Sequence, residues 1–314
     1  MKAYTSNNIR NIAVLGHGGK GKTTLCEAML YIAGASDRLG RVADGNTVLD
    51  FDSEEKRRKS SVSSAMAALE WDNTKLNIID APGLFDFEGG AAEAVRAAEA
   101  VLIVTSAGSG VDVGTEKAFR AAEKKGAAKF FAVTKTDSDH RNFYKTFDAL
   151  KEVYGNKLCP TIIPYMEGNI TKCYVNLMTG MAFSYDENGK ATKVPVPEDS
   201  VIEEMTSAFM EAVATTDDAL MEKFFEGEKF TKEEILKGLC IGIFDGSIYP
   251  VYAVSGLTCA GVDQLLYGLA WSAPGAFGYA GEKCTYENGE EGILPCDENG
   301  PLAAVCFKTI ADPF

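Results

Sequence analysis

Histidine is scarce in this 314-residue chain. Only His17 and His140 occur, and none of the eight cysteines (26, 159, 173, 240, 259, 284, 296 and 306) forms a CxxC pair or has a close histidine partner. A zinc site is therefore not expected, and the dispersed thiols suit a reducing compartment. Positive charge is also in deficit, with 31 Lys and Arg against 45 Asp and Glu and a net charge of −14. That excludes general affinity for nucleic acid through charge alone, so no DNA partner is expected and any RNA contact would be local and shape-directed. An apolar leader is lacking too, because the start MKAYTSNNIRN is polar. The eighteen uncharged residues from Gln264 to Gly281 contain four glycines and Pro274, which reads as a helix running into a turn and not as a membrane span. The expectation is a cytoplasmic protein with no membrane contact. What is present is ordinary globular usage, 46% apolar and 24% charged, in a length that suits about two domains.

Four short apolar runs rich in β-branched residues, Ile12–Leu15, Leu76–Ile79, Val101–Val104 and Phe130–Val133, alternate with 3.6-residue patterns. The helical patterns span Thr23–Ala33, Gly90–Ala100, Thr115–Lys125 and Asp139–Val153. This alternation predicts an α/β fold with a mostly parallel, doubly wound sheet. From Cys159 the rhythm changes. Thr161–Tyr165, Cys173–Leu177 and Ala182–Tyr185 suggest a small antiparallel patch, followed by long acidic helices over Pro197–Glu226 and Thr231–Phe244. A buried strand, Pro250–Val254, and a helix, Gly261–Ala273, then resume the first rhythm. The interruption, about 156–248, reads as an inserted α+β subdomain within a domain spanning 1–281. Glu282–Asn299 reads as a linker, and Leu302–Phe307 as the first strand of a following domain that breaks off.

Gly16-His-Gly-Gly-Lys-Gly-Lys22-Thr23 fits GxxxxGK[ST], directly after a strand and opening a helix. In that setting backbone N–H groups of His17, Gly18, Gly19, Lys20 and Gly21 and the helix start at Thr23 and Thr24 can wrap phosphates. Lys22 reaches the β/γ oxygens and the Thr23 hydroxyl a magnesium ion. The loop alone does not choose between ATP and GTP. Asp80-Ala-Pro-Gly83 ends another strand; alone it is an ordinary turn, but behind a phosphate loop Asp80 can serve Mg²⁺ and the Gly83 N–H can approach the γ-phosphate. Thr134-Lys135-Thr136-Asp137 ends a third strand. Asp137 there can accept from guanine N1–H and N2–H₂ while the Lys135 stem covers the base; adenine would leave the carboxylate unpaired. In isolation the same acid would be read as a helix cap. Ser255-Gly256-Leu257, after the fourth strand, can offer backbone N–H to guanine O6.

These four elements, in this order at the carboxyl ends of strands, resemble a translational GTPase, specifically an elongation factor G-like protein. The resemblance runs from Arg10-Asn-Ile through Ala253-Val-Ser-Gly-Leu to Phe307-Lys-Thr-Ile-Ala-Asp-Pro-Phe314, essentially the whole chain. It implies GTP and GDP as ligands, Mg²⁺, the ribosome as partner of the full-length protein, a monomer, and a β-barrel domain beginning within 282–314. It also aligns the family's R-x-x-T-hydrophobic segment, switch I, with Arg58-Lys-Ser-Ser61-Val62, making Ser61 a second hydroxyl on magnesium. The charged, weakly periodic stretch 36–64 is expected to lack an anchor to the core and to order only around a γ-phosphate.

Three departures from the family pattern stand out. Thr134 occupies the position of an asparagine, leaving one hydroxyl to bridge to the phosphate loop. Gly19 replaces an aspartate that serves a monovalent cation. Leu84 stands in the D-T-P-G-H motif where the family's histidine orients the attacking water, with His17 in the phosphate loop and Asp86 two residues after Leu84 as the groups that could substitute. Lys22 and Gly83 remain to act on the phosphates, and slow hydrolysis is expected. A GTP-binding regulator with little turnover and a ribosome-protection protein are the alternatives; a P-loop ATPase or kinase is disfavoured by Asp137.

Overall fold

The structure, a computed structural model, describes residues 2–138, 142–279 and 281–310. His140, the start of the helix expected from Asp139, and the stretch 311–314 lie outside the described residues. The elements in chain order are β1 (Ile9–Leu15), α1 (Lys22–Ile32), α2 (Ser53–Arg58), β2 (Ala65–Trp71), β3 (Thr74–Asp80), α3 (Glu88–Ala97), β4 (Ala100–Ser106), α4 (Val113–Lys125), β5 (Ala128–Thr134) and α5 (Phe143–Tyr154). Then follow β6 (Leu158–Glu167), β7 (Ile170–Asn176), β8 (Met181–Tyr185), β9 (Ala191–Val194), α6 (Ser200–Ala214), α7 (Asp218–Glu226), α8 (Lys232–Asp245), β10 (Tyr249–Ala253), α9 (Val262–Ser272), β11 (Glu282–Thr285) and β12 (Glu291–Leu294).

All residues of β4, β5 and β10 are buried, as expected for central parallel strands covered on both faces. The main sheet has the order β2-β3-β1-β4-β5-β10-β6-β7-β8-β9. The strands from β3 to β6 in that order run parallel. The pairs β2/β3, β6/β7, β7/β8 and β8/β9 are antiparallel. Helices α1 and α9 pack together on β2 and β3, while α3 and α4 pack together on β1 and β4. Because β1, β3, β5 and β10 point the same way, the loops after them emerge at one edge, where α/β sheets place ligands.

Several expectations need correction. The antiparallel patch is not a separate sheet: β6 pairs with β10, so β6–β9 extend the parallel sheet itself. β2 was hidden by its alanine-rich sequence. It is an antiparallel neighbour of β3, turned through Asp72 (φ 44°) and Asn73 (φ 58°), a two-residue hairpin turn that needs such left-handed conformations. The long helix over Pro197–Glu226 is two helices. The hydroxyls of Thr215 and Thr216 donate to Ala212 O and Val213 O, and Asp217, extended at φ −154°, caps α7 through Ala219 N–H. The supposed linker Glu282–Asn299 contains the β11/β12 hairpin, tied to the main body by Glu282 with Arg96 and Lys125. Leu302–Phe307 forms no strand, because an apolar strand without a paired neighbour leaves its backbone unsatisfied.

Candidate functional site

Residues 16–21 join β1 to α1 in a tight glycine-rich loop. Gly16 sits at φ 140°, and a Cβ there would lie 2.2 Å from Val104 O, so the loop can press onto β4 only without a side chain. Lys22, 6% exposed, donates to Gly16 O at 3.0 Å and to His17 O at 3.1 Å, which curls the loop around its own ammonium group. Burial lowers its pKa, and the nearby Asp80 carboxylate opposes that shift. Lys20 is paired outward with Asp112 at 3.0 Å. The loop is braced from β5: Thr134 Oγ1 lies 2.6 Å from Lys20 O and 3.0 Å from Thr105 O, and its one proton can serve only one of them. Lys135, at φ 61°, donates to Gly19 O at 2.7 Å.

Thr23 begins a cluster of oxygens beneath the loop. Its hydroxyl donates to Asp80 Oδ2 at 2.6 Å and lies 3.1 Å from Ser61 Oγ, and Ser61 in turn donates to Asp50 Oδ1 at 2.7 Å. Asp80 is 1% exposed; burial pushes its carboxyl up to about 7, against the pull of the Lys22 ammonium and the Thr23 hydroxyl. Its Oδ1 is buried without a hydrogen-bond partner among the described residues. Hydroxyl and carboxylate oxygens with one orphaned acceptor fit a hard divalent cation such as Mg²⁺. Among the described residues no group of three His, Cys, Asp or Glu side chains is placed to hold a metal ion, so hydroxyl oxygens would have to complete the set. Ser61, the residue that the resemblance assigns to magnesium, is the serine of this segment brought to Thr23. Asp50 was not foreseen, since nothing in its local sequence separates it from surface acids.

The segment 36–64 is anchored, contrary to the expectation. Glu27 of α1, fully buried, accepts from Val48 N–H at 2.8 Å and Leu49 N–H at 3.0 Å. Glu55 of α2, 1% exposed, accepts from Val62 N–H at 3.0 Å, Ser63 N–H at 3.2 Å and, through its other oxygen, Asp52 N–H at 3.2 Å. Asp52 completes a capping box with Glu55, and Leu49 is buried in the core. Glu27 and Glu55 are carboxylates that work as backbone acceptors, a role composition does not reveal. Glu55→Ala should leave Val62 and Ser63 N–H unpartnered and speed their hydrogen exchange by about tenfold or more, without changing the amides of β1 and β4. Unchanged exchange at 62 and 63 would show that Glu55 does not hold Ser61 in place.

Gly83 approaches the phosphate loop more closely than any side chain allows. A Cβ on it would stand 2.1 Å from Lys22 Nζ, 2.7 Å from Gly18 N and 2.8 Å from Gly16 O. Leu84 follows, 38% exposed, with its side chain over Gly18; a Cβ on Gly18 would lie 2.9 Å from Leu84 Cδ2. Behind Leu84 a cavity of about 460 Å³ runs between α3 and α4, lined by Leu15, Ala91, Ala118 and Ala121 among others. His17 faces the Phe85 ring edge-on at 5.6 Å, and Asp86 is exposed in the short turn Phe85–Phe87.

Asp137 is exposed at the end of the β5 loop, beside a cavity of about 300 Å³ that also touches Thr258 and Ala260. Ser255, Gly256 and Leu257 lie in the loop that follows β10 and leads to Thr258 and Ala260. Ser255 N–H donates to Ala260 O at 2.9 Å, so it is committed to its own loop, and only Gly256 and Leu257 remain of the three expected donors. Gly256 presses onto α1, where a Cβ would meet the Thr24 and Leu25 backbone at 3.0 Å.

A glycine-rich loop after the first strand, a buried aspartate after the third and an exposed one after the fifth define a P-loop nucleoside-triphosphate-binding fold. Residues 7–274 match the elongation factor Tu GTP binding domain family. The chain belongs to that family, as a translational GTPase of the elongation factor G type. It is 32% identical over 310 residues to the elongation factor G-like protein of Mycobacterium tuberculosis, in strains CDC 1551 and H37Rv, covering 98% of this chain and 43% of each relative. A protein of Thermus thermophilus solved by crystallography superposes with a TM-score of 0.80 at 34% identity, covering 88% of this chain and 42% of that one. The chain thus spans less than half the length of these relatives. Among the described residues no helix is long and apolar enough to cross a membrane.

Proposed function

We propose that this chain is the GTP- and GDP-binding part of a cytoplasmic, monomeric translation factor that engages the ribosome and hydrolyses GTP slowly. Residues 1–281 would form the nucleotide domain, with 156–248 inserted, and 282–314 would lead into a β-barrel domain. The observation that carries the guanine reading is Asp137, exposed after β5 on the same sheet edge as the phosphate loop. Its carboxylate accepts guanine N1–H and N2–H₂, the Lys135 stem lies along the base, and Gly256 or Leu257 N–H donates to O6. Lys22 and the loop amides from His17 to Thr24 hold the phosphates, and the Gly83 N–H faces the γ-phosphate. Thr23, Ser61 and Asp80 would hold Mg²⁺, which when bound neutralises charge developing on the phosphates. Calorimetry should give GTP and GDP binding that needs Mg²⁺ and exceeds ATP binding by at least a hundredfold; equal affinities would refute the guanine reading. Sedimentation of the full-length protein with ribosomes should rise with a non-hydrolysable GTP analogue, and co-sedimentation indifferent to nucleotide would remove the ribosome from the proposal. Leu84 favours a second reading, a GTP-binding regulator that turns over little nucleotide.

A further inference from the structure

The inserted strands touch both loops that the guanine reading assigns to the base. Tyr174 of β7 is 4% exposed, and its hydroxyl lies 2.8 Å from Thr136 Oγ1. Thr136, also 4% exposed, donates that oxygen's proton to Val254 O at 3.0 Å, so the Tyr174 O–H is the donor to Thr136. Three residues along β7, the Thr171 hydroxyl donates to Thr136 O at 2.9 Å. One residue of the β5 loop is therefore gripped at side chain and carbonyl by a single strand, and Asp137 is the next residue. The other base loop is met by the β8–β9 turn, where a Cβ on Gly189 would come within 2.4 Å of Cys259 Cβ.

Tyr174 is itself held. Its ring meets Tyr185 edge-on at 5.6 Å, and the Tyr185 hydroxyl donates to Asp263 Oδ1 at 2.6 Å. Gln264 donates to Asp263 Oδ2 at 2.7 Å and accepts from Asn176 Nδ2 at 2.9 Å. A chain of hydrogen bonds and one aromatic contact thus runs from α9 through β8 and β7 to the residue before Asp137. Resting on the guanine reading above, we propose that Tyr174 and Thr171 are positioning residues for base recognition, aiming the Asp137 carboxylate at both N–H groups of guanine. A carboxylate on an exposed loop can make one hydrogen bond in many orientations, but two parallel ones in few. The inserted strand supplies that restriction.

The test compares GDP with IDP, whose base lacks the N2 amine and so can make only the first of the two bonds. Affinities of both for the natural chain, Tyr174→Phe and Thr171→Val are measured by calorimetry, with thermal unfolding alongside. Tyr174→Phe keeps the ring and its packing and removes only the donor. The expected result is a three- to tenfold loss of GDP affinity with IDP changed less than twofold, so the GDP-to-IDP ratio falls. Thr171→Val should act in the same direction. An equal loss for both nucleotides would mark the two hydroxyls as merely structural, and an unchanged ratio in both variants would overturn the proposal. If the natural chain itself prefers GDP no more than ADP, the guanine reading fails and this inference falls with it; intact GDP selectivity with an unmoved ratio rejects the inference alone.

Discussion

Exchanging Asp137 for asparagine should lower GDP and GTP affinity by roughly a hundredfold or more and create affinity for xanthine nucleotides where the natural chain has little. Guanine presents two donors, N1–H and the N2 amine, to this position, and the carboxylate is a double acceptor. An asparagine amide keeps one acceptor but turns a donor toward the N2 amine, so one charge-assisted bond is lost and a donor faces a donor. Xanthine carries an oxygen at C2, which reverses the second pair and restores both bonds. Asp137 is exposed and lies outside the packed core, so the exchange should leave the fold intact. The measurement is competition of GDP and XDP for the natural chain and the variant. An Asp137→Asn chain that still prefers GDP would show that another group reads the base.

Replacing Leu84 by histidine should raise the single-turnover rate of GTP hydrolysis on ribosomes by ten-fold or more in the full-length protein. In hydrolysis a water oxygen bonds to the γ-phosphorus while the bond to the β–γ bridging oxygen breaks, giving GDP and phosphate. The protein contributes positioning and charge neutralisation more than covalent chemistry. Lys22 and the Gly83 N–H supply the charge component, but a water must also be aimed, which needs a donor or acceptor at hydrogen-bond distance. Leu84 offers neither. It lies against Gly18 of the phosphate loop, with an apolar cavity behind it. The His17 ring is turned to Phe85, with its Nδ1 3.0 Å from Gly18 O, which is not the placement of a free base. Leu84→Ala serves as the control, since it removes bulk without adding a polar group. A gain only in the histidine variant supports the argument. A gain in both would mean the leucine merely obstructs, and a natural rate already matching a histidine-bearing factor would show that a different residue orients the water.

The parts of this molecule that could be read from the chain are those where chemistry and backbone coincide. Apolar runs buried on both faces mark β1, β3, β4, β5 and β10, and each motif sits just beyond one of them because parallel strands deliver their loops to one edge. What was illegible depends on partners distant in sequence. Glu27 and Glu55 look like solvated acids until their N–H donors, 21 and 7 residues away, are seen. Asp50 gains its place only through Ser61. β2, alanine-rich and assigned to no element by its pattern, becomes a strand because β3 offers it a ladder; the Asp72-Asn73 pair was the signal that would have found it. The committed Ser255 N–H follows from a loop that folds back on itself, which three residues in isolation cannot announce.

A parallel sheet has two flanks where unpaired backbone groups invite a stray strand from another molecule, and the order of this sheet shows how both are blunted. Without β7, β8 and β9 the flank would be β6, ten residues long and apolar over most of its length. With them the flank is β9, only four residues, carrying Lys193 and preceded by Lys190. Short, cationic borders discourage edge-to-edge joining. The opposite border, β2, is crowded at its start by the Lys308 ammonium, which donates to Ser64 O. Deleting 168–194 should therefore increase self-association with rising concentration relative to the natural chain, as read by light scattering, a colloidal consequence separate from anything these strands do for nucleotide.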